Sequence, residues 1–135
     1  TALTSSLSAN VQKTVDDLHK TELLQKIIDY LSIQELWDKR IVNMLNIYFN
    51  EMYKVFQILF NKTKKGGYCV VVVGNSAYGN LAIPTDLLLS EMATKAGFKI
   101  KTIIAARNNE TSAQQHLKLG KYSEYLRESI IIMRK

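Results

Sequence analysis

Lys-Lys-Gly-Gly-Tyr-Cys-Val-Val-Val-Val-Gly-Asn-Ser-Ala-Tyr-Gly-Asn, residues 64–80, decides the fold. Gly66 and Gly67 can adopt the φ > 0 geometry that ends a helix. Tyr68 to Val73 is an uncharged, β-branched run without alternation, the pattern of a strand covered on both faces. It is predicted as the central strand of an α/β sheet. Gly74 to Asn80 then reads as a polar, glycine-bearing loop at the carboxyl end of that strand, the edge on which open α/β sheets place their ligands.

Upstream, Leu36, Trp37, Ile41, Met44, Leu45, Tyr48, Met52, Val55, Phe56, Leu59 and Phe60 keep a helical period until Lys62 to Lys65 and the two glycines stop it. Ser32-Ile33-Gln34-Glu35 matches a capping box, so this helix is expected to start there. Seven turns would span roughly 43 Å at 1.5 Å per residue, more than a six-residue strand can cover. Its N-terminal part should therefore overhang the sheet or form a separate helix. Further upstream, Ser8 or Asn10 can cap an amphipathic segment with apolar Val11, Val15, Leu18, Leu24, Ile27, Ile28 and Leu31. The period slips near His19 to Glu22, and one broken helix or two short ones both fit. Residues 1–32 are thus set apart as an N-terminal helical segment from the α/β part, 33–135.

Downstream, Pro84 suits the first turn of a helix, where its missing N–H is no loss, and Thr85 and Asp86 suit the positive helix N-terminus. That helix should run through Leu87, Leu88, Leu89, Met92 and Ala93 and close at Gly97. Phe98 to Ala106 reads as a second strand, residues 107–126 as a long polar connection, and Arg127 to Arg134 as a last strand.

The 135 residues, 47% hydrophobic and 22% charged, suit one domain, and no window is apolar long enough to span a bilayer. No signal-peptide pattern opens the chain, and the single Cys69 can form no internal disulfide, so a reducing, intracellular, cytoplasmic setting is expected. Cys69, inside the apolar strand, reads as a structural thiol. The first residue is not Met, which suggests a processed product or a segment of something larger. The net charge of +6 is uneven: residues 98–135 carry eight Lys or Arg against three acids, residues 1–97 ten against nine. A polyanionic partner near the C-terminal quarter follows from that asymmetry, with a solvated lysine-rich surface as the plain alternative. Neither His19 nor His116 has partners at metal or catalytic spacing.

The order of elements resembles the C-terminal half of class I S-adenosylmethionine-dependent DNA methyltransferases of the amino-group type, acting on N4 of cytosine or N6 of adenine. The resemblance rests on Met52-Tyr-Lys-Val-Phe56, Lys65-Gly-Gly-Tyr-Cys-Val-Val-Val-Val-Gly-Asn-Ser76, Ile83-Pro-Thr85, Ala96-Gly-Phe98 and Arg127-Glu-Ser129, and covers about residues 33–135. It implies a partial Rossmann-like sheet built from the last strands of the domain, with the terminal strand antiparallel between the other two. It also implies S-adenosylmethionine as the cofactor of a complete enzyme and DNA as its substrate. The family's Asp/Asn/Ser-Pro-Pro-Tyr/Phe motif is missing, since Pro84 is the only proline, and no Gly-x-Gly is present to hold the cofactor. No catalytic or cofactor-binding residue is therefore assigned, and the chain alone is expected to be inactive.

The candidate nucleic-acid contacts are Asn75, Ser76 and Tyr78 on the rim after the valine strand, with Asn80 beside them. In the later connection they are Arg107, Lys118 and Lys121 for phosphates, and Asn108, Asn109, Gln114 and Gln115 for base edges. Asn and Gly in the first loop serve turn geometry equally well, and Tyr122 and Tyr125 are read as covering the connection. Three strands would leave the Tyr68–Val73 strand with an unpaired edge, so a chain or domain completing the sheet, or self-association through that edge, is expected. The rival function is a non-catalytic nucleic-acid-binding or interaction module of the same fold. A phosphate loop at Gly74 to Gly79 is disfavoured because the next helix begins only at Pro84.

Overall fold

A computed structural model of the chain describes residues 21–36, 38–108 and 119–135. The expected N-terminal cap at Ser8 or Asn10, His19, Trp37 and the candidate contacts Asn109, Gln114, Gln115 and Lys118 lie outside the described residues, as do His116 and the side chain of Lys121.

The slip in the first helical period is a cap. Thr21 is extended and its hydroxyl accepts from the Leu24 N–H at 3.3 Å, opening α1 (Glu22–Ser32), which buries Leu24, Ile27, Ile28 and Leu31. The expectation that Ser32 opens the next helix is overturned. Ser32 closes α1, its hydroxyl donating back to the Ile28 carbonyl at 2.7 Å, an i−4 bond that competes with a capping role. Helix α2 spans Ile41–Lys62, after Asp38 has accepted from the Arg40 amide at 2.8 Å. The overhang foreseen from the long stripe is a non-helical connection.

Strand β1 (Tyr68–Gly74) follows the glycine turn. The expected loop beyond it is a hairpin instead, β2 (Ser76–Tyr78) paired antiparallel with β3 (Leu81–Ile83). Gly79 and Asn80 both have positive φ, 54° and 59°, the two-residue turn whose twist matches that of the strands it joins. Helix α3 (Thr85–Ala96) ends on Gly97, β4 covers Lys99–Asn108, a 3₁₀ turn covers Gly120–Tyr125, and β5 covers Arg127–Arg134. Arg107 and Asn108 therefore belong to a strand end and not to the connection.

The main sheet has the order β1-β5-β4, with β5 antiparallel to both neighbours, so β1 and β4 run the same way. The terminal strand lies between the other two, as the resemblance implies. The valine strand is not central, however; among the described residues it is an edge. Nor is it covered twice: Cys69, Val71 and Val73 are half-buried, while Tyr68, Val70 and Val72 face outward. Val tolerates a half-exposed pleat, so an all-valine run conceals an alternation that mixed residues would display. The covered face adds Ile131 and Met133 of β5 and Ile100 and Ile103 of β4, and packs into one core with Phe49, Met52 and Phe56 of α2 and Leu88, Leu89 and Met92 of α3.

Gly97 locks the α3 end of this core. Its φ is +120°, and a Cβ there would lie 2.8 Å from the Phe60 ring, which itself meets Phe98 edge-on at 5.2 Å between centroids. Gly97→Ala is expected to cost about 2–3 kcal/mol through backbone strain and ring displacement together, read as a lowered midpoint in urea unfolding; a midpoint within error of the parent would refute it.

Candidate functional site

The carboxyl end of β1, the start of α3 and the start of β5 meet at one buried carboxylate. Asp86 is 0% exposed although it sits in the first turn of a helix. Its Oδ2 accepts from the Ser129 hydroxyl at 2.8 Å and from Arg127 Nε and Nη2 at 3.2 and 3.1 Å. Its Oδ1 accepts from the Leu87 amide at 2.9 Å and from Asn75 Nδ2 at 3.2 Å. Asn75 in turn accepts the Asp86 N–H at 3.0 Å through its own Oδ1 and donates to the Tyr125 carbonyl at 3.0 Å. The backbone N–H of Asn75 also donates to the Arg127 carbonyl at 2.9 Å, extending the β1–β5 ladder past Gly74.

Burial by itself would push the Asp86 carboxyl up. The hydrogen bonds from Ser129, Arg127, Asn75 and the Leu87 amide together outweigh it and hold the group below the ordinary aspartate value of 3.8. A carboxyl whose folded value is depressed contributes stability above its unfolded pKa and loses it as pH falls through the folded one. Acid should therefore weaken this junction below pH 3.8. Urea midpoints followed from roughly pH 5 to roughly pH 2.5 should fall, and Asp86→Asn should flatten that fall; equal slopes for the two proteins would contradict the assignment.

Two clefts flank the β2–β3 hairpin at this end. One, of about 340 Å³, is lined by Met44, Leu45, Tyr48 and Phe49 of α2, by Val72 to Gly74, and by Ser76, Tyr78 and Thr85. Burial raises the pKa of the Tyr48 hydroxyl on its wall. The other, of about 490 Å³, is bordered by Tyr30, Asn80, Pro84, Leu87, Tyr122, Tyr125 and Arg127, with Asn75 and Asp86 at its base. Tyr122 and Tyr125 stack at 6.3 Å, and the Arg127 guanidinium lies 5.6 Å from the centre of the Tyr125 ring.

The structure thus brings Asn75, Ser76 and Tyr78 to one rim, with different fates. Ser76 is exposed, Tyr78 is half-buried in the first cleft, and Asn75 is buried and committed to Asp86 and Tyr125. Arg107 and Asn108 stand at the same end of the sheet, opposite Glu128 and Arg127. Arg107 is held by Glu128 in a two-point fork at 2.6 and 3.0 Å, which depresses the Glu128 carboxyl. Sequence reading misses the Asp86–Arg127–Ser129 junction. The residues are visible as an aspartate after Ile-Pro-Thr and an Arg-Glu-Ser opening a strand, but nothing in their spacing joins two segments 41 residues apart. Cys69 is half-buried, and burial pushes its thiol up, in keeping with a structural role. Among the described residues no group of His, Cys, Asp and Glu could hold a metal ion, and no helix is long and apolar enough to cross a membrane.

Helices on one face of a sheet whose last strand lies antiparallel between two parallel ones, with ligand-sized clefts at the carboxyl end of the first, define a partial methyltransferase-like α/β fold. The comparisons agree. The type II methyltransferase M.AvaI of Nostoc sp. (strain PCC 7120 / SAG 25.82 / UTEX 2576) is 32% identical over 136 residues, 96% of this chain and 28% of the relative. The protein of that name from Anabaena variabilis matches to the same extent. M.BsoBI of Geobacillus stearothermophilus, also a type II methyltransferase, is 36% identical over 103 residues, 75% of this chain and 20% of the relative. The chain is a homologue of a piece of the type II methyltransferases, and spans between a fifth and three tenths of the length of these curated relatives. No family model and no solved structure matches it.

Proposed function

We propose that this chain is a fragment or subunit of an S-adenosylmethionine-dependent DNA methyltransferase that supplies part of the sheet and a DNA-facing rim, while the reactive centre lies in the complementary part. The observation that carries the proposal is the match along 96% of the chain to a limited piece of type II methyltransferases. The fold supports it, because among the described residues β1 is an open edge and one sheet face is apolar and exposed, as a sheet divided from its neighbours would have.

The donor set of the clefts does not suit the cofactor. Binding its ribose and methionine carboxylate needs a free acidic acceptor and a glycine turn presenting backbone N–H groups. The carboxylate among the residues lining these clefts, Asp86, already accepts from four donor groups, and the chain contains no Gly-x-Gly. Cofactor and methyl transfer are accordingly assigned to the complementary part. The role of this chain is to present Ser76, Tyr78, Arg107 and Asn108, together with Asn109, Gln114, Lys118 and Lys121, toward DNA. Asn75 acts from beneath, fixing the rim through Asp86.

The test is complementation. The chain mixed or co-expressed with a polypeptide carrying the Pro-Pro-Tyr/Phe and glycine-loop motifs should transfer labelled methyl groups to DNA, and the chain alone should transfer none. No incorporation from any such mixture would defeat the enzymatic reading. DNA binding without transfer would then favour the non-catalytic module.

A further inference from the structure

The far end of the sheet, away from the rim, gathers cations from three segments: the turn before β1, the start of β4 and the end of β5. Because β5 runs antiparallel to both neighbours, its last residues lie between the first residues of β1 and β4, and the register sets Tyr68, Arg134 and Lys99 side by side. Gly66 and Gly67 are tied to Lys135 by backbone bonds of 3.0 and 2.9 Å, which brings the adjacent Lys65 to the same place. The result is a hollow of about 630 Å³ lined by Phe60, Lys65, Gly66, Lys99, Lys101, Arg134 and Lys135. Five cationic side chains border it and no acidic side chain does.

Two of the five have structural work. Lys135 Nζ donates to the Phe60 carbonyl at 2.7 Å, in the last turn of α2, where the helix dipole favours a cation. Arg134 Nε donates to the Gly66 carbonyl at 3.0 Å, and its guanidinium lies 5.6 Å from the centre of the Tyr68 ring, leaving the Nη groups available in a fixed orientation. Lys65, Lys99 and Lys101 are exposed and form no ion pair among the described residues. At the rim, by contrast, Arg107 and Arg127 are neutralised by Glu128 and Asp86. Five cations thus gather around this hollow without an acidic side chain on its lining.

Like charges around a concavity repel one another, and an anion of several charges removes that cost. A pre-oriented guanidinium beside three exposed ammonium groups suits phosphate oxygens, the fork taking two and the lysines acting as point charges. We infer that this hollow is a second anion site that takes adjacent phosphate groups, those of a nucleic-acid backbone, at the end of the sheet opposite the rim. The seven residues of β1 separate the two by roughly 20 Å. The inference does not depend on methyl transfer and stands whichever function the rim serves.

The experiment uses the whole chain and a Lys65→Gln, Lys99→Gln, Lys101→Gln triple variant, whose changes touch exposed side chains only; circular dichroism and a urea midpoint verify the fold. Binding of a fluorescent DNA duplex is followed by anisotropy over a salt series, and inorganic tripolyphosphate is titrated separately. The triple variant should bind the duplex at least tenfold more weakly at about 0.1 M salt, with a log K against log salt slope shallower by about 2 to 3, since each phosphate no longer neutralised removes about 0.9. Weakening confined to tripolyphosphate would keep the phosphate site but assign it to a free polyphosphate. Unchanged affinity and slope for both ligands would overturn it.

Discussion

Asp86→Ala should lower the unfolding free energy by about 3 kcal/mol, toward the low end of the cost of breaking a buried ion pair. The carboxylate is fully buried and five hydrogen bonds converge on its two oxygens, so its removal leaves the Ser129 hydroxyl and the Asn75 amide facing a void. What moderates the loss is Arg127, whose side chain is 25% exposed and can be rehydrated in part. Asp86→Asn keeps the shape but turns a donor toward Arg127 or Ser129, and about 2 kcal/mol is expected for it. Urea unfolding with an unchanged m-value is the measurement, and a loss below about 1 kcal/mol for the alanine variant would show that the junction is incidental. The larger consequence is positional. Asp86 ties the end of β1, the start of α3 and the start of β5 together, so its loss should loosen the hairpin carrying Ser76 and Tyr78 before it disturbs the core beneath.

How far the sequence discloses this arrangement depends on whether a feature is local. Pro84 opening α3 and Gly97 closing it are decided within a turn of chain, and both stand as expected; Gly66 and Gly67 instead form the turn into β1, because α2 already ends at Lys62, where Thr63 turns extended and its N–H donates to the Leu59 carbonyl. The Gly79-Asn80 turn is equally local, and a two-residue Gly-Asn between Ser-Ala-Tyr and Leu-Ala-Ile is a hairpin signature. It disappears from view when Gly74 to Asn80 is taken whole as a strand-to-helix connection. Ser32 misleads for the opposite reason: its surroundings suit a helix start, but the same serine at the end of α1 finds a carbonyl four residues back. The position of β1 in the sheet is not legible locally at all. Four consecutive valines describe an apolar strand, but only pairing with β5 on one side, and with no described strand on the other, makes it an edge. The site is half legible in the same sense: Ser76 and Tyr78 lie on the rim where a loop after a strand should place them. Asn75, two residues from the end of the valine run, is drawn inward by Asp86 and by a carbonyl 50 residues away.

That open edge leads to the second large effect, on association. Across the outer face of the sheet the registers stack four rows: Tyr68–Arg134–Lys99, Val70–Ile132–Thr102, Val72–Ile130–Ile104 and Gly74–Glu128–Arg107. The two middle rows are apolar apart from Thr102, and the outer rows carry the charges, the arrangement of an interface with a dry centre and a polar rim. Val70 is 56% and Val72 65% exposed, so replacing them costs the isolated fold little, whereas an ammonium group placed on that centre must be dehydrated or must hold the surfaces apart. Val70→Lys with Val72→Lys should therefore leave the urea midpoint nearly unchanged. The same change should weaken association with the complementary part of the enzyme by at least about 100-fold, near 2.8 kcal/mol at 1.4 kcal/mol per decade. In the absence of that part, the unmodified chain should sediment above its 15.4 kDa monomer mass, through the β1 edge and this face, and the double variant should return to it. A monodisperse monomer at tens of micromolar for the parent chain, together with complementation indifferent to both lysines, would mean that the valine strand is a finished edge and that no further strand or helix belongs beside it.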